Sequence, residues 1–132
     1  MENILNYITE ILLLVFLIIT FLQSGFDKIF DWKGNVSWLN EHFSKTILAN
    51  MVPLNLAIIL TLELVSGILC SIGIYQLIAT NDKTFGLYGA ILSCIVLLML
   101  LFGQRIAKDY DGARTIVIYF VPAIFTAFLL ST

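Results

Sequence analysis

Four stretches of this chain stay apolar for as long as a helix needs to cross a lipid bilayer, and this limits its fold more than any other feature. The runs extend from about Ile4 to Phe30, Leu54 to Ala79, Phe85 to Gly103 and Ala113 to Leu130. A hydrocarbon core roughly 30 Å thick takes about 20 mostly apolar residues in an α-helix. Helices satisfy their own backbone polar groups in hydrocarbon, where an open sheet does not. The breaks between the runs are polar and carry Gly, Asn, Asp or Pro. The expected fold is therefore all-α: an integral membrane four-helix bundle, up-down-up-down, forming one transmembrane domain over residues 1–132.

Composition agrees, since 60% of the residues are hydrophobic and only 12% charged. So few charges do not cover a water-facing surface, and lipid has to solvate part of it. The net charge of −2 leaves no basic footprint, which sets aside nucleic acid as a partner. The first run has no basic residues before it and no small-residue cleavage site after it, so it reads as a span and not as a signal peptide.

Four crossings bring both termini to one side. Lys28, Lys33 and Lys45 lie in or beside the first connection, Arg105, Lys108 and Arg114 in or beside the third, and Lys83 alone in the second. The excess of Lys and Arg in cytoplasmic loops then places both termini outside. Between the first two runs, Val36, Leu39, Phe43 and Ile47 recur at helical spacing, with Ser37 suited to an N-cap. This segment reads as a short interfacial amphipathic helix with Trp32 and Trp38 at head-group depth, or as a loop packing its apolar residues on the bundle end. The charged segment from Arg105 to Arg114 reads as a solvated connection or as a docking site for a partner or anionic head group.

Glu63 is the costly residue of the second run, because an ionisable group in hydrocarbon costs a few kcal/mol and is a functional candidate by default. It lies about nine residues into its run, roughly 13 Å deep at 1.5 Å per residue. Gly67 and Ser71 continue its face at four-residue steps, and Gly86, Ala90, Ser93 and Leu97 form a small-residue stripe on the third run. The second and third helices are expected to pack along these faces. On the first run Thr20, Ser24 and Asp27 form a polar stripe with Gln23 beside it and Lys28 near the membrane edge. By depth Gln23 reaches Glu63, and Lys28 either bends inward toward that acid or snorkels to Asp27, Asp31 or lipid phosphate.

Cys70 and Cys94 count out to depths roughly 10 Å apart, too far for a disulfide. His42 is the single histidine, which excludes a haem held by two histidines of this chain. No metal-ligand cluster, catalytic triad or phosphate-binding loop is present in the sequence, so no catalytic residue, metal or cofactor is expected within the chain itself.

Gly25-Phe26-Asp27-Lys28, together with the run from Leu62 to Gly73, resembles the DoxX family of small four-helix membrane proteins. The matching positions are Gly25, Lys28, Glu63, Gly67 and Gly73. The resemblance implies a bacterial cytoplasmic membrane protein associated with quinone-linked respiratory complexes. The expected role is an accessory or membrane-anchoring subunit, non-enzymatic unless it is part of a quinone-linked oxidoreductase. Its expected partners are the bilayer and other membrane subunits or further copies of itself. The alternative is a small membrane enzyme or carrier that holds a quinone or other amphipathic molecule in a pocket lined by Glu63, Gln23 and Lys28.

Overall fold

The computed structural model describes residues 2–132, and their regular structure is entirely helical. The elements are α1 (Glu2–Asn6), α2 (Ile8–Phe30), α3 (Trp32–His42), α4 (Val52–Thr80), α5 (Thr84–Ile106) and α6 (Tyr110–Ser131). Helices α2, α4, α5 and α6 are the four long and apolar enough to cross a membrane. Their outer faces carry large bare side chains: Phe30 is 84% exposed, Phe102 64% and Ile118 64%. In water such a surface would drive association, whereas acyl chains solvate it. These properties are those of a multi-pass membrane protein.

The helix ends follow from local chemistry. Tyr7, with φ −116° and ψ 25°, separates α1 from α2, so the first apolar run is two helices and not one. Asp31 breaks the chain between α2 and α3, and Asn35 ties the two together by donating to the carbonyls of Asp31 (2.8 Å) and Asp27 (3.4 Å). Pro53 falls in the first turn of α4, where its missing N–H costs nothing. Asn81, at φ 59°, ends α4 in the left-handed conformation that Asn tolerates. Asp109 caps α6 by accepting from the Gly112 N–H at 2.9 Å.

α3 differs from its sequence expectation in register. It starts at Trp32, so Ser37 lies inside the helix and does not cap it. It ends at His42 with Phe43 as the C-cap, and Ile47 beyond it is 81% exposed. The break at Asp31 starts the helix five residues before the serine.

The core forms where α4 meets α5 and α2 and where α6 packs on α5. A Cβ on Gly73 would lie 2.5 Å from the backbone nitrogen of Gly86, and one on Gly89 would lie 2.7 Å from Cys70 Sγ. The two backbones are therefore in direct contact, an approach that only small residues permit. Ser66 and Ser93 bridge the same seam, 2.6 Å apart, and both donate to the Gly89 carbonyl. The seam thus uses Ser66, Cys70 and Gly73 of α4 against Gly86, Gly89, Ala90 and Ser93 of α5. Gly67 and Ser71 are not part of it. Gly67 faces Leu22 of α2, and Ser71 is exposed and bonds back to the Gly67 carbonyl at 2.8 Å. On an all-round apolar helix two small-residue stripes lie side by side, and the one through residues 66, 70 and 73 meets α5.

Contacts between elements also group the helix ends. The Asn3 side chain donates to the Ile78 carbonyl at 2.9 Å, and Lys83 lies over the Tyr7 ring at 5.8 Å. At the opposite end of α4 and α5, His42 Nε2 meets Gln104 Oε1 at 3.0 Å and Asp109 Oδ2 at 3.6 Å. These contacts hold α3 against the turn between α5 and α6.

Candidate binding site at the Lys28 and Glu63 pair

The last turns of α2 bring a cation to the acid of α4. Gly25 is buried against Leu64, where a Cβ would lie 2.8 Å from Leu64 Cδ2, so α2 approaches α4 closely one turn before Lys28. Lys28 Nζ lies 2.8 Å from Glu63 Oε1, with side-chain exposures of 15% and 2%. Ser24, one turn back on the same face, accepts from Lys28 through Oγ at 2.6 Å and through its carbonyl at 3.4 Å. The ammonium thus donates to two oxygens of Ser24 and has Glu63 as its counter-charge. Glu63 Oε1 makes no aligned hydrogen bond among the described residues, so its contact with Lys28 is ionic in character.

Of the sequence candidates, Lys28 and Glu63 are brought together and Gln23 is not. Gln23 sits five positions before Lys28, about 140° around the helix at 100° per residue. It is exposed and makes no side-chain hydrogen bond among the described residues. Thr20 bonds its own helix at the Phe16 carbonyl, 2.8 Å away. Depth along the helix placed Gln23 near Glu63, but rotation about the helix takes it to the outer face.

Beside the ion pair lies a cavity of about 670 Å³ between α3, α4, α5 and the start of α6. This is within the range typical of small-molecule sites, roughly 300–1,000 Å³. Lys28 is its one charged lining residue among those described, and Glu63 lies behind it, outside the lining. Asn35, Trp38, Asn55 and Gln104 supply the remaining polar groups, while Leu56, Ile59, Leu98 and Met99 are among the apolar ones. α3 forms one wall. It is held there by His42, which stacks on Trp38 with ring centroids 4.6 Å apart, packs edge-on to Phe43 at 4.9 Å and bonds Gln104.

Sequence reasoning missed Asn55, Gln104 and Trp38 as members of one site. Asn55 and Gln104 stand at the edges of apolar runs, where a polar residue is expected at an interface and draws no notice. Among the described residues no group of three His, Cys, Asp or Glu side chains is placed to hold a metal ion. Cys70 and Cys94 are both free and buried.

Chemically, the site combines an apolar volume, a few hydrogen-bonding groups near its rim, and a neutralised ion pair at its inner wall. No family model, curated protein or solved structure matches this chain.

Proposed function

We propose that this protein spans a bacterial cytoplasmic membrane as an up-down-up-down bundle and holds an amphipathic molecule in the cavity beside Lys28 and Glu63. The cavity carries the reading: an apolar volume, open on one side, with a few convergent polar groups is what such a ligand needs. Six of the seven Lys and Arg residues belong to the end that bears α3, which favours that end as the cytoplasmic one and both termini outside. In this orientation α3 lies along the cytoplasmic interface, with Trp38, 58% exposed, at head-group depth.

A quinone belongs to the ligand class, and its resemblance-based expectation fits the residues present. Its ring carbonyls accept hydrogen bonds, for which Asn55 and Gln104 carry amide donors, and its ring and tail are apolar like Leu56, Ile59 and Met99. Bound there, a quinone would supply two-electron redox chemistry. The accessory-subunit role rests on the absence of a catalytic set, whereas the cavity is a positive feature, so ligand binding is the preferred reading.

The test is mass spectrometry of small molecules retained by protein purified in mild detergent. A Leu98→Phe/Met99→Phe variant fills the cavity from two half-exposed positions. A lipid-soluble species retained near one per chain by the wild type and lost from the variant is the expected result. Equal retention by both would remove the cavity reading and favour the accessory-subunit role.

A further inference from the structure

We infer that the cavity selects its ligand by head-group charge, holding amphiphiles whose head is uncharged and accepts hydrogen bonds in preference to anionic or cationic ones of the same length. The inference rests on the cavity being a ligand site, as proposed above, and concerns what the site admits.

Charge at the cavity wall is already compensated. Lys28 is the only cation among the described lining residues; Ser24 accepts from it through Oγ and through its carbonyl, and the Glu63 carboxylate 2.8 Å away compensates its charge. An anionic head would find no unpaired cation. To capture Lys28 it would have to displace Glu63, leaving that residue, 1% exposed, charged and alone. A cationic head fares no better, because no carboxylate lines the cavity among the described residues and Glu63 is screened by Lys28. A charge carried into this volume stays uncompensated, which is far more costly than burying a hydrogen-bonded neutral group.

The neutral polar groups lean toward donation. Asn55 makes no side-chain hydrogen bond among the described residues, so its whole carboxamide is available. Gln104 spends Oε1 on His42 and keeps its amide N–H groups. The Trp38 indole N–H is likewise unbonded among the described residues. Asn35, by contrast, has committed its amide nitrogen to the carbonyls of Asp31 and Asp27. An ester, ketone or ether oxygen meets these donors directly.

The outer rim suits a chain arriving from lipid. Ile95 (46% exposed), Leu98 (50%), Met99 (40%) and Phe102 (64%) line the cavity and also form part of the outward face of α5. In a bilayer this face meets acyl chains, so the apolar tail needs no passage through water.

The experiment uses the chain in phosphatidylcholine nanodiscs with Trp32→Phe, which leaves Trp38 as the sole tryptophan. Three probes share one brominated acyl or alkyl chain and differ in the head: a glycerol ester, a sulfate and a trimethylammonium. Quenching of Trp38 is followed against probe mole fraction in the bilayer, which removes differences in partitioning. The glycerol ester is expected to saturate at about a tenfold lower mole fraction than either charged probe, a preference equivalent to about 1.4 kcal/mol. Glu63→Gln frees Lys28 from its counter-charge and should move the preference to the sulfate. If that variant does not fold, the wild-type ranking decides alone. Charged probes binding as tightly as the ester would overturn the selectivity while leaving the cavity a ligand site; quenching by all three that never saturates would overturn both.

Discussion

Removing the ammonium of Lys28 tests the centre of this molecule most directly. At a separation of 2.8 Å and an effective dielectric of about 20, the gross attraction between the two charges is about 6 kcal/mol. Desolvating Lys28, at 15% side-chain exposure, and Glu63, at 2%, consumes much of that, so the pair's net contribution is small. Truncation is different, because Lys28→Met leaves Glu63 buried without its cation and should cost about 3–5 kcal/mol. The double variant Lys28→Met/Glu63→Leu removes both charges and should recover most of that loss, giving a coupling of several kcal/mol. Reversible unfolding in bicelles or nanodiscs, read for the wild type, both single variants and the double variant, closes the cycle. If the double variant loses as much stability as the two singles added together, the two residues do not act as a pair, and the account of the site fails at its first step.

The seam between α4 and α5 makes a second prediction. Gly73→Ala pushes a methyl group into the backbone of Gly86, so the helices must part and the Ser66 to Ser93 contact is lost; destabilisation of about 1–3 kcal/mol is expected. Gly103→Ala places its Cβ 3.7 Å from Phe43 Cζ, an ordinary contact, and should be neutral within about 0.5 kcal/mol or slightly stabilising; equal effects at the two sites would refute the proposed seam. A third prediction concerns pH. Asp82 accepts from the Thr84 hydroxyl at 2.6 Å and from its backbone N–H at 2.9 Å, and these bonds hold its carboxyl below the usual carboxylate range. Because the folded value is the lower one, this contribution is present above about pH 4 and fades as pH falls through the folded value. The stability gap between wild type and Asp82→Ala should therefore narrow in acid, and a gap that stays constant while the carboxyl is protonated would contradict the contribution of these two bonds.

What the sequence disclosed and what it concealed divide along a physical line. Length and hydropathy are properties of single segments, so the four long apolar helices were legible, as was Glu63 as the buried acid of its run. Facing is a property of pairs of segments. In a soluble helix the polar side marks the outside, but here the lipid-facing and buried sides are both apolar, and the periodicity that would separate them is nearly silent. Gly67 and Gly73 illustrate this: both are small residues of α4, yet one faces Leu22 of α2 and the other Gly86 of α5. Gln23 shows the complementary case, where helix geometry was sufficient but depth was weighed in place of rotation. Ser24, four residues before Lys28, shares its face, and Gln23 does not. The cavity was least legible of all. Its polar groups come from α2, α3, α4 and α5, and span Lys28 to Gln104 without any motif linking them. Each is unremarkable at the edge of its own run, and only the position of α3, set by His42 against Gln104 and Asp109, makes them one site. The shape of the space in front of the one costly acid therefore depends less on that acid than on α3, which walls it.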